Sequence, residues 1–485
     1  MNKTFEKKGL TKKSENISDW YHDVVLRAGL AEYGEVKGTM IIKPWGFAIW
    51  EKLQSVLDGW FKADGVQNVY FPLFIPYSLL KKEKEHLAGF SPELAIVETA
   101  GGEKLAEPLV IRPTSETIMY KAFPNWIQSY RDLPLKINQW CNVVRWEKRT
   151  YPFLRTSEFL WQEGHTVHQT DQEAEEMAVK ALGWYNKFYE EYFAMSGYVG
   201  LKSKGETFAG AVRTYAVEHV MPDGKALQSC TSHNLGQNFS KVFNIEFLSE
   251  EGKKENPFQT SWGISTRAIG GLILSQGDDS GLVLPPKIAA VQVVILPIAS
   301  KDAGVQEKVL AAAQKIRQAL EKKDVRVKLD GNVRTSLGFR INDWELKGVP
   351  LRLELGGKEL ESESAQYVRR DNFAKGQIKL PDIGNSVMEL LDQIQSDLLK
   401  KTEAAKKALT FEAGEIHEFK RMLEEKKAFI RVPWCEDIVC EQRVKADTKA
   451  TPRVLELERI DKREDLKCFA CGQKASRKWL FAQSY

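Results

Sequence analysis

Four cysteines near the end of the chain fall into two tight pairs, Cys435-x4-Cys440 and Cys468-x2-Cys471, with 27 residues between them. If both pairs serve one ion, two remote loops must converge, and that constrains everything folded between them. The C-x2-C half has the knuckle spacing of zinc ribbons, and the x4 pair can reach the same ion. Four thiolates complete a tetrahedral zinc with no open position, so such a site is structural rather than catalytic. Two local disulfides, or a redox C-x-x-C, are the alternatives. The first thirty residues are polar and basic with no apolar core, so nothing points to secretion. In a reducing cytoplasm disulfides are disfavoured. The expectation is therefore a zinc site in a small metal-folded module that ends a much larger cytoplasmic chain.

A chain of 485 residues predicts about three domains. Its 43% apolar and 28% charged content is that of ordinary globular proteins. No apolar run reaches the roughly 18 residues that span a bilayer. The net charge is only +4, so any polyanion site must be a local patch. Cys141 and Cys230 read as buried thiols.

Three blocks follow one another. In residues 20–285, Trp50, Leu53, Leu57 and Trp60 recur at helical spacing after Pro44-Trp45-Gly46, which predicts an amphipathic helix ending near Gly65. Val69-Tyr70-Phe71, Leu109-Val110-Ile111, the run from Gln139 to Trp146 and Phe159 to Gln162 read as strands. They are not spaced as strand-helix-strand crossovers, so an antiparallel sheet flanked by helices is expected. Residues 171–196 read as a helix with Asp171 as its N-cap. After Pro285-Pro286 the pattern becomes strand-helix-strand-helix-strand to Leu355, hence a mixed or parallel sheet covered by helices. The third block opens with a helix striped by Val387, Leu390, Leu391, Ile394, Leu398 and Leu399. The charged run from Lys400 to Lys427 reads as a solvated helix face.

The densest chemistry lies in residues 143–166, VVRWEKRTYPFLRTSEFLWQEGHT. Two strands flank a loop that turns at Pro152. Arg145 and Glu147, two apart, are expected on one face of the first strand, and Phe159, Trp161 and Glu163 on one face of the second. Arg155 sits at the far end of the loop. Arginines on a rigid sheet beside ordered carboxylates suit a phosphate with bound Mg²⁺, although a solvated ion-pair ladder has the same pattern. Upstream, Arg112-Pro113-Thr114-Ser115-Glu116 sets a hydroxyl and a carboxylate between a strand and an apolar helix. Its plain reading is a helix cap at Thr114 or Ser115.

These segments resemble class II aminoacyl-tRNA synthetases, in the prolyl-tRNA synthetase version of archaea and eukaryotes with a C-terminal zinc-binding domain. Arg145-Trp146-Glu147 and Phe153 to His165 resemble the second class II motif. Gly65 to Leu73 resembles the first, which forms the family's dimer interface, and Trp262 to Arg267 the third. Thr114-Ser115-Glu116, the stretch Thr231 to Phe239, the segment Gly277 to Pro286, the cysteine quartet and the terminal Ser484-Tyr485 also match, in order along nearly the whole chain. Gln276 stands where the family commonly has His, Ser265 where Thr is frequent, and Lys358 where the family has an arginine.

The resemblance implies an α/β multidomain protein. Residues 1–286 would be an antiparallel-sheet catalytic domain, 287–385 an α/β anticodon-binding domain, and 386–485 a C-terminal helix and small zinc-binding α/β domain. It implies ATP-dependent attachment of L-proline to tRNA(Pro) through a prolyl-adenylate, in a cytoplasmic homodimer away from membranes, with Mg²⁺ and a structural Zn²⁺ on Cys435, Cys440, Cys468 and Cys471. Arg145, Glu147 and Arg267 would be catalytic. Thr114, Glu116, Arg145, Phe159, Trp161, Glu163, His165 and His233 would bind proline. Arg145, Glu147, Leu154, Arg155, Thr156, Gln228, Thr231, Ser265 and Arg267 would bind ATP, with Gln228 a possible Mg²⁺ contact. Two rivals are a catalytically inactive RNA-binding paralogue and a class II synthetase for another amino acid. Arg145 and Arg267, both present, speak against the first, and the T-S-E and W-Q-E-G-H-T segments against the second.

Overall fold

The computed structural model describes residues 9–86, 94–332 and 334–485. Its spine is an eleven-stranded sheet. At its centre Arg213–Val220, Ala226–Gly236, Phe258–Ser265, Glu158–His168 and Leu135–Val144 lie side by side, each antiparallel to the next. The antiparallel catalytic sheet read from the sequence is present, but Leu109-Val110-Ile111 is not part of it: the strand Glu103–Ile111 pairs with Phe74–Pro76 and Ile96–Ala100 in a separate three-stranded sheet. Gln67–Asn68 adds a parallel edge strand.

Two helices cover one face. Pro44–Ala63 starts with proline in its first turn and buries Ile49, Trp50, Leu53, Leu57 and Phe61. Asp171–Glu191 buries Met177, Leu182, Tyr185 and Phe188. Between helix and sheet lies Trp262, whose ring rests on Gly164; a Cβ there would come within 2.3 Å of the indole.

Several local expectations are corrected. The cap of the Asp171–Glu191 helix is Thr170, which forms a capping box with Glu173. Asp171 instead accepts from Arg213 and Asn234, each at 2.9 Å. Val69 to Phe71 is not a strand; pairing stops at Asn68, and the amide of Phe71 donates to the Gln139 side chain. Arg145 and Glu147 lie beyond their expected strand, which ends at Val144, although the Arg145 amide still donates to Ser157 O at 2.8 Å. Ser115 occupies the N-cap position of the helix Glu116–Trp126 but makes no capping bond.

The second block is a five-stranded sheet in the order Val327–Leu329, Val293–Pro297, Leu351–Leu355, Ser364–Arg369, Lys375–Lys379. The first three strands are parallel and the last two antiparallel, so the sheet is mixed. The helix Ile383–Ala408 lays Val387, Leu391, Ile394 and Leu398 into this block's core. The charged run after Lys400 is not one solvated helix. It is broken by the strand Thr410–Glu412 and the helix Ile416–Lys426, and Lys406 points inward to Gly197 O at 3.1 Å.

The cysteine module does not hang free. Its strand Thr451–Glu456 pairs with Tyr198–Leu201, so its strands continue the catalytic sheet. Gly200 permits this approach, since a Cβ there would meet Leu455 O at 2.2 Å. Among the described residues no helix is long and apolar enough to cross a membrane.

Candidate active site

The central strands, the loop at Pro152 and the start of the helix Arg267–Gln276 enclose a cavity of about 350 Å³. Thr114, Glu116, Arg145, Glu147, Leu154, Arg155, Thr156, Phe159, Trp161, Glu163, His165, Gln228, Thr231, His233, Ser265 and Arg267 all line it. Every pocket residue singled out in the sequence is therefore brought to one place.

Strand periodicity explains much of this convergence. Phe159, Trp161, Glu163 and His165 alternate along Glu158–His168 and share one face. On Ala226–Gly236, Gln228 and Thr231 are three apart and in a regular strand would face opposite sides. A bulge at Ser229 shifts the register, pairing Glu218 with Gln228 and Val217 with Cys230, and returns both side chains to the cavity.

At the floor, Glu163 is buried. It accepts from Gln139 Nε2 at 2.8 Å and from Ser115 Oγ, and it faces His165 Nε2 at 3.4 Å. Burial pushes its carboxyl up. Hydrogen bonding and charge from His165, with the bonds from Ser115 and Gln139, outweigh that and hold it below the usual carboxylate range. The Ser115 hydroxyl thus orients a carboxylate instead of capping a helix. Tyr120 Oη lies 2.9 Å from His165 Nδ1 and fixes that ring. His233 bonds Thr214 Oγ1 at 2.9 Å, and burial, then the neighbouring His165, lowers it to about 3, so it is neutral. Thr114 Oγ1 donates to Glu116.

Three arginines face the same cavity. Arg145 Nε donates to Pro113 O at 3.1 Å, and its guanidinium lies 5.5 Å from the Trp161 ring centre and 5.7 Å from that of Phe159. Arg267 Nε donates to Leu154 O at 2.9 Å. Among the described residues neither of these two, nor Arg155, has a carboxylate within ion-pair distance. Burial, then repulsion from Arg155 and Arg145, lowers the Arg267 guanidinium. A polyanion would relieve that repulsion, and fork donors suit phosphate and carboxylate oxygens. The cavity offers no activated nucleophile: burial pushes the Cys230 thiol well up, so it stays protonated. The arrangement can position and neutralise anionic substrates; it does not supply an attacking group.

The comparisons with known proteins agree with this chemistry. The tRNA synthetase class II core domain (G, H, P, S and T) matches residues 98–276, an anticodon binding domain residues 292–390, and the prolyl-tRNA synthetase C-terminal domain residues 416–485. The Proline–tRNA ligase 2 of Clostridioides difficile is 47% identical over 478 residues, covering 98% of each chain. The Proline–tRNA ligase of Acetoanaerobium sticklandii is 48% identical over 99% of this chain and 98% of its own. The chain belongs to the proline–tRNA ligases. A crystal structure of the prolyl-tRNA synthetase of Cryptosporidium parvum, complexed with halofuginone and AMPPNP, superimposes with a TM-score of 0.94 at 43% identity, covering 98% of this chain and 99% of that one.

The family's cysteine quartet also assembles here. Cys435 Sγ lies 3.6 Å from Cys471 Sγ, and Cys440 Sγ 3.8 Å from Cys468 Sγ; all four sulfurs are within 4.8 Å of one another. Four thiolates about 2.3 Å from one tetrahedral ion would be just under 4 Å apart. The nearest partners come from different pairs, and all four cysteines are free, so the local-disulfide alternative fails. Burial raises the Cys468 thiol, but backbone N–H groups of Ala470, Cys471 and Cys435 outweigh this and hold it below its usual range, which favours a thiolate. Gln276, where the family commonly has His, donates its Nε2 to Phe193 O and Ala194 O at 3.2 and 2.7 Å.

Sequence reasoning missed Phe153, Glu206, Phe208, Ser261 and Trp262 on the cavity wall. Ser261 was reachable in principle: it is two strand periods before Ser265 and pairs with both His165 and His233. Glu206 ends the single 3-10 turn Lys204–Glu206 and Phe208 follows it, a segment too short to carry a periodic signal.

Proposed function

We propose that this protein activates L-proline with ATP and transfers it to tRNA(Pro), working as a cytoplasmic homodimer. The observation that carries the reading is the one cavity in which an ionised buried carboxylate, two braced histidines and three arginines without ion-pair partners among the described residues meet, in a chain of this family. The proline carboxylate is already ionised near pH 7, so it attacks the α-phosphorus of ATP directly and pyrophosphate leaves. The 3′-terminal ribose hydroxyl of the tRNA then attacks the prolyl carbonyl and AMP leaves. Catalysis is positioning and charge neutralisation.

Arg145 holds the α-phosphate together with the proline carboxylate. Glu147 orients the adenine side. Arg155, Thr156 and Arg267 hold the nucleotide, with Leu154 and Ser265 completing its wall. Gln228 and Thr231 sit by the phosphates. Thr114 and Glu116 accept from the secondary ammonium. Phe159, Trp161, Glu163, His165 and His233 surround the pyrrolidine ring. Mg²⁺ carried by the triphosphate, with Gln228 as a protein contact, would neutralise charge on the departing pyrophosphate. Cys435, Cys440, Cys468 and Cys471 would hold one structural zinc.

The three units proposed are residues 1–286, 287–385 and 386–485, the last boundary falling inside the helix Ile383–Ala408. For the dimer, the support is the exposed aromatic surface around Pro72, where Tyr70 is 73% exposed and Phe74 47%. ATP–pyrophosphate exchange driven by each amino acid in turn tests the reading. Exchange with proline and little with the others is expected; exchange with none, or best with another amino acid, would overturn it.

A further inference from the structure

The helix Arg267–Gln276 has one end in the pocket and the other at a junction of the chain. Its ten residues rise about 15 Å. Residues 268–274 are all buried, so one end cannot shift without moving packed neighbours. The carbonyls that a helix leaves without partners at its C-terminus are claimed here from elsewhere. Lys13 Nζ donates to Leu274 O at 2.6 Å and Gly277 O at 2.7 Å, and Lys401 Nζ lies 3.4 Å from Gln276 O. The Trp20 indole donates to Asp278 O at 2.8 Å.

The Asp278 carboxylate receives both arms of Arg370, each at 2.6 Å. Arg370 lies at the turn between Ser364–Arg369 and Lys375–Lys379, within the matched anticodon binding domain. It is 3% exposed, donates Nε to Glu345 O at 2.8 Å and stacks on Phe373. Arg369 beside it binds Asp371 and Asp397, both at 2.7 Å. A cleft of about 1000 Å³, lined by Lys13, Asp278, Phe373 and Lys401 among others, borders the junction. The contact is thus a fixed point beside open space. Arg370 is buried but the Asp278 side chain is 31% exposed, so desolvation on one side and solvent screening on the other make the pair a poor source of stability. A bidentate fork fixes distance and orientation together.

We propose that the Arg370–Asp278 pair is a positioning contact for Arg267, through which the anticodon-binding fold sets the nucleotide geometry of the pocket. This rests on the proline-activating reading above. A displacement of Asp278 is carried along a packed helix to the guanidinium at its first position. The floor residues Glu163 and His165 are on a different element, so proline binding should not follow it.

The test is proline-dependent ATP–pyrophosphate exchange in Arg370→Lys, which keeps the charge but loses the fork, in the wild-type and Arg267→Lys backgrounds. In the wild-type background kcat should fall about three- to tenfold with the proline KM unchanged. In the Arg267→Lys background the same substitution should cost less than about twofold, because the two changes remove one coupled function. Equal losses in both backgrounds would make the contact merely structural and overturn the proposal. So would wild-type kcat and ATP KM in Arg370→Lys. Asp278→Asn makes the same cycle from the other side of the pair if Arg370→Lys does not yield folded protein. Absence of exchange in the wild-type chain would refute the proposed activity itself, a different failure.

Discussion

The pocket and the cysteine quartet solve opposite problems. The quartet is closed: four like ligands, one of them Cys440 on the helix Ile438–Thr448, lie within 4.8 Å of one another and suit a tetrahedral ion with no open position. The pocket is open: Arg145, Arg155 and Arg267 share a cavity without ion-pair partners among the described residues, and the carboxylate at its floor is held ionised by donors behind it. A site that stabilises a fold completes itself. A site that does chemistry leaves its charges for something else to complete. The two are nevertheless joined, since Leu455 and Glu456 of the terminal module pair with Leu201 and Gly200 of the catalytic sheet.

That contrast predicts different kinds of damage. The largest effect belongs to the closed site. Cys468→Ser should reduce zinc from about one per chain to well under one and unfold the module, since structural zinc sites carry on the order of 10 kcal/mol of folding free energy. Metal analysis with far-ultraviolet circular dichroism checks it. A fully folded module without zinc would show that the quartet closes on its own. Next comes the open site. Arg145→Ala should lower kcat for adenylate formation roughly 10²-fold or more, the cost of removing one transition-state donor, while the melting temperature barely moves. A raised proline KM with kcat intact would mean that Arg145 only binds substrate.

A smaller change follows from the floor. Glu163→Gln removes the charge that faces His165 and should raise the proline KM about tenfold, the scale of one charge-assisted hydrogen bond, with ATP KM unchanged. Equal effects on both substrates would mean that the pocket has no separate proline end. The smallest effect is a pH dependence outside both sites. His168 is buried, bonded to Thr166 at 2.7 Å, and lowered to about 4 by burial, with Lys136 adding to the shift. A base held below its unfolded value is neutral in the fold, and protonation favours the unfolded chain. Its contribution is complete above about pH 6.5 and is lost as pH falls towards 4. His168→Gln should flatten the stability curve in that window, read by denaturant melts at several pH values. An unchanged slope would place the acid sensitivity elsewhere.

How legible each region was follows from how local its signal is. The convergence of the quartet was readable from four letters and two spacings, because that spacing suits four ligands of one tetrahedral ion. The pocket was readable from motifs in order, and period-two spacing correctly grouped Phe159, Trp161 and Glu163. Features that depend on tertiary partners were not readable. Thr170 displaced Asp171 as the helix cap because Arg213 and Asn234 drew Asp171 away. The regular strand ended at Val144, one residue before Arg145, although the Arg145 amide still reaches Ser157 O. The bulge at Ser229 has no residue signature, yet it decides that Gln228 faces the cavity. The pairing of Leu455 with Leu201 joins segments too far apart in sequence for any pattern to link them.

The most direct test of the open site is transfer itself. Purified protein is incubated with radiolabelled proline, ATP, Mg²⁺ and unfractionated tRNA, beside Arg145→Ala and a matched set of other amino acids. The account predicts an alkali-labile ester of proline on tRNA, absent with Arg145→Ala and not matched by any other amino acid. Labelled tRNA at wild-type levels with Arg145→Ala, or no proline on tRNA with the intact chain, would contradict it.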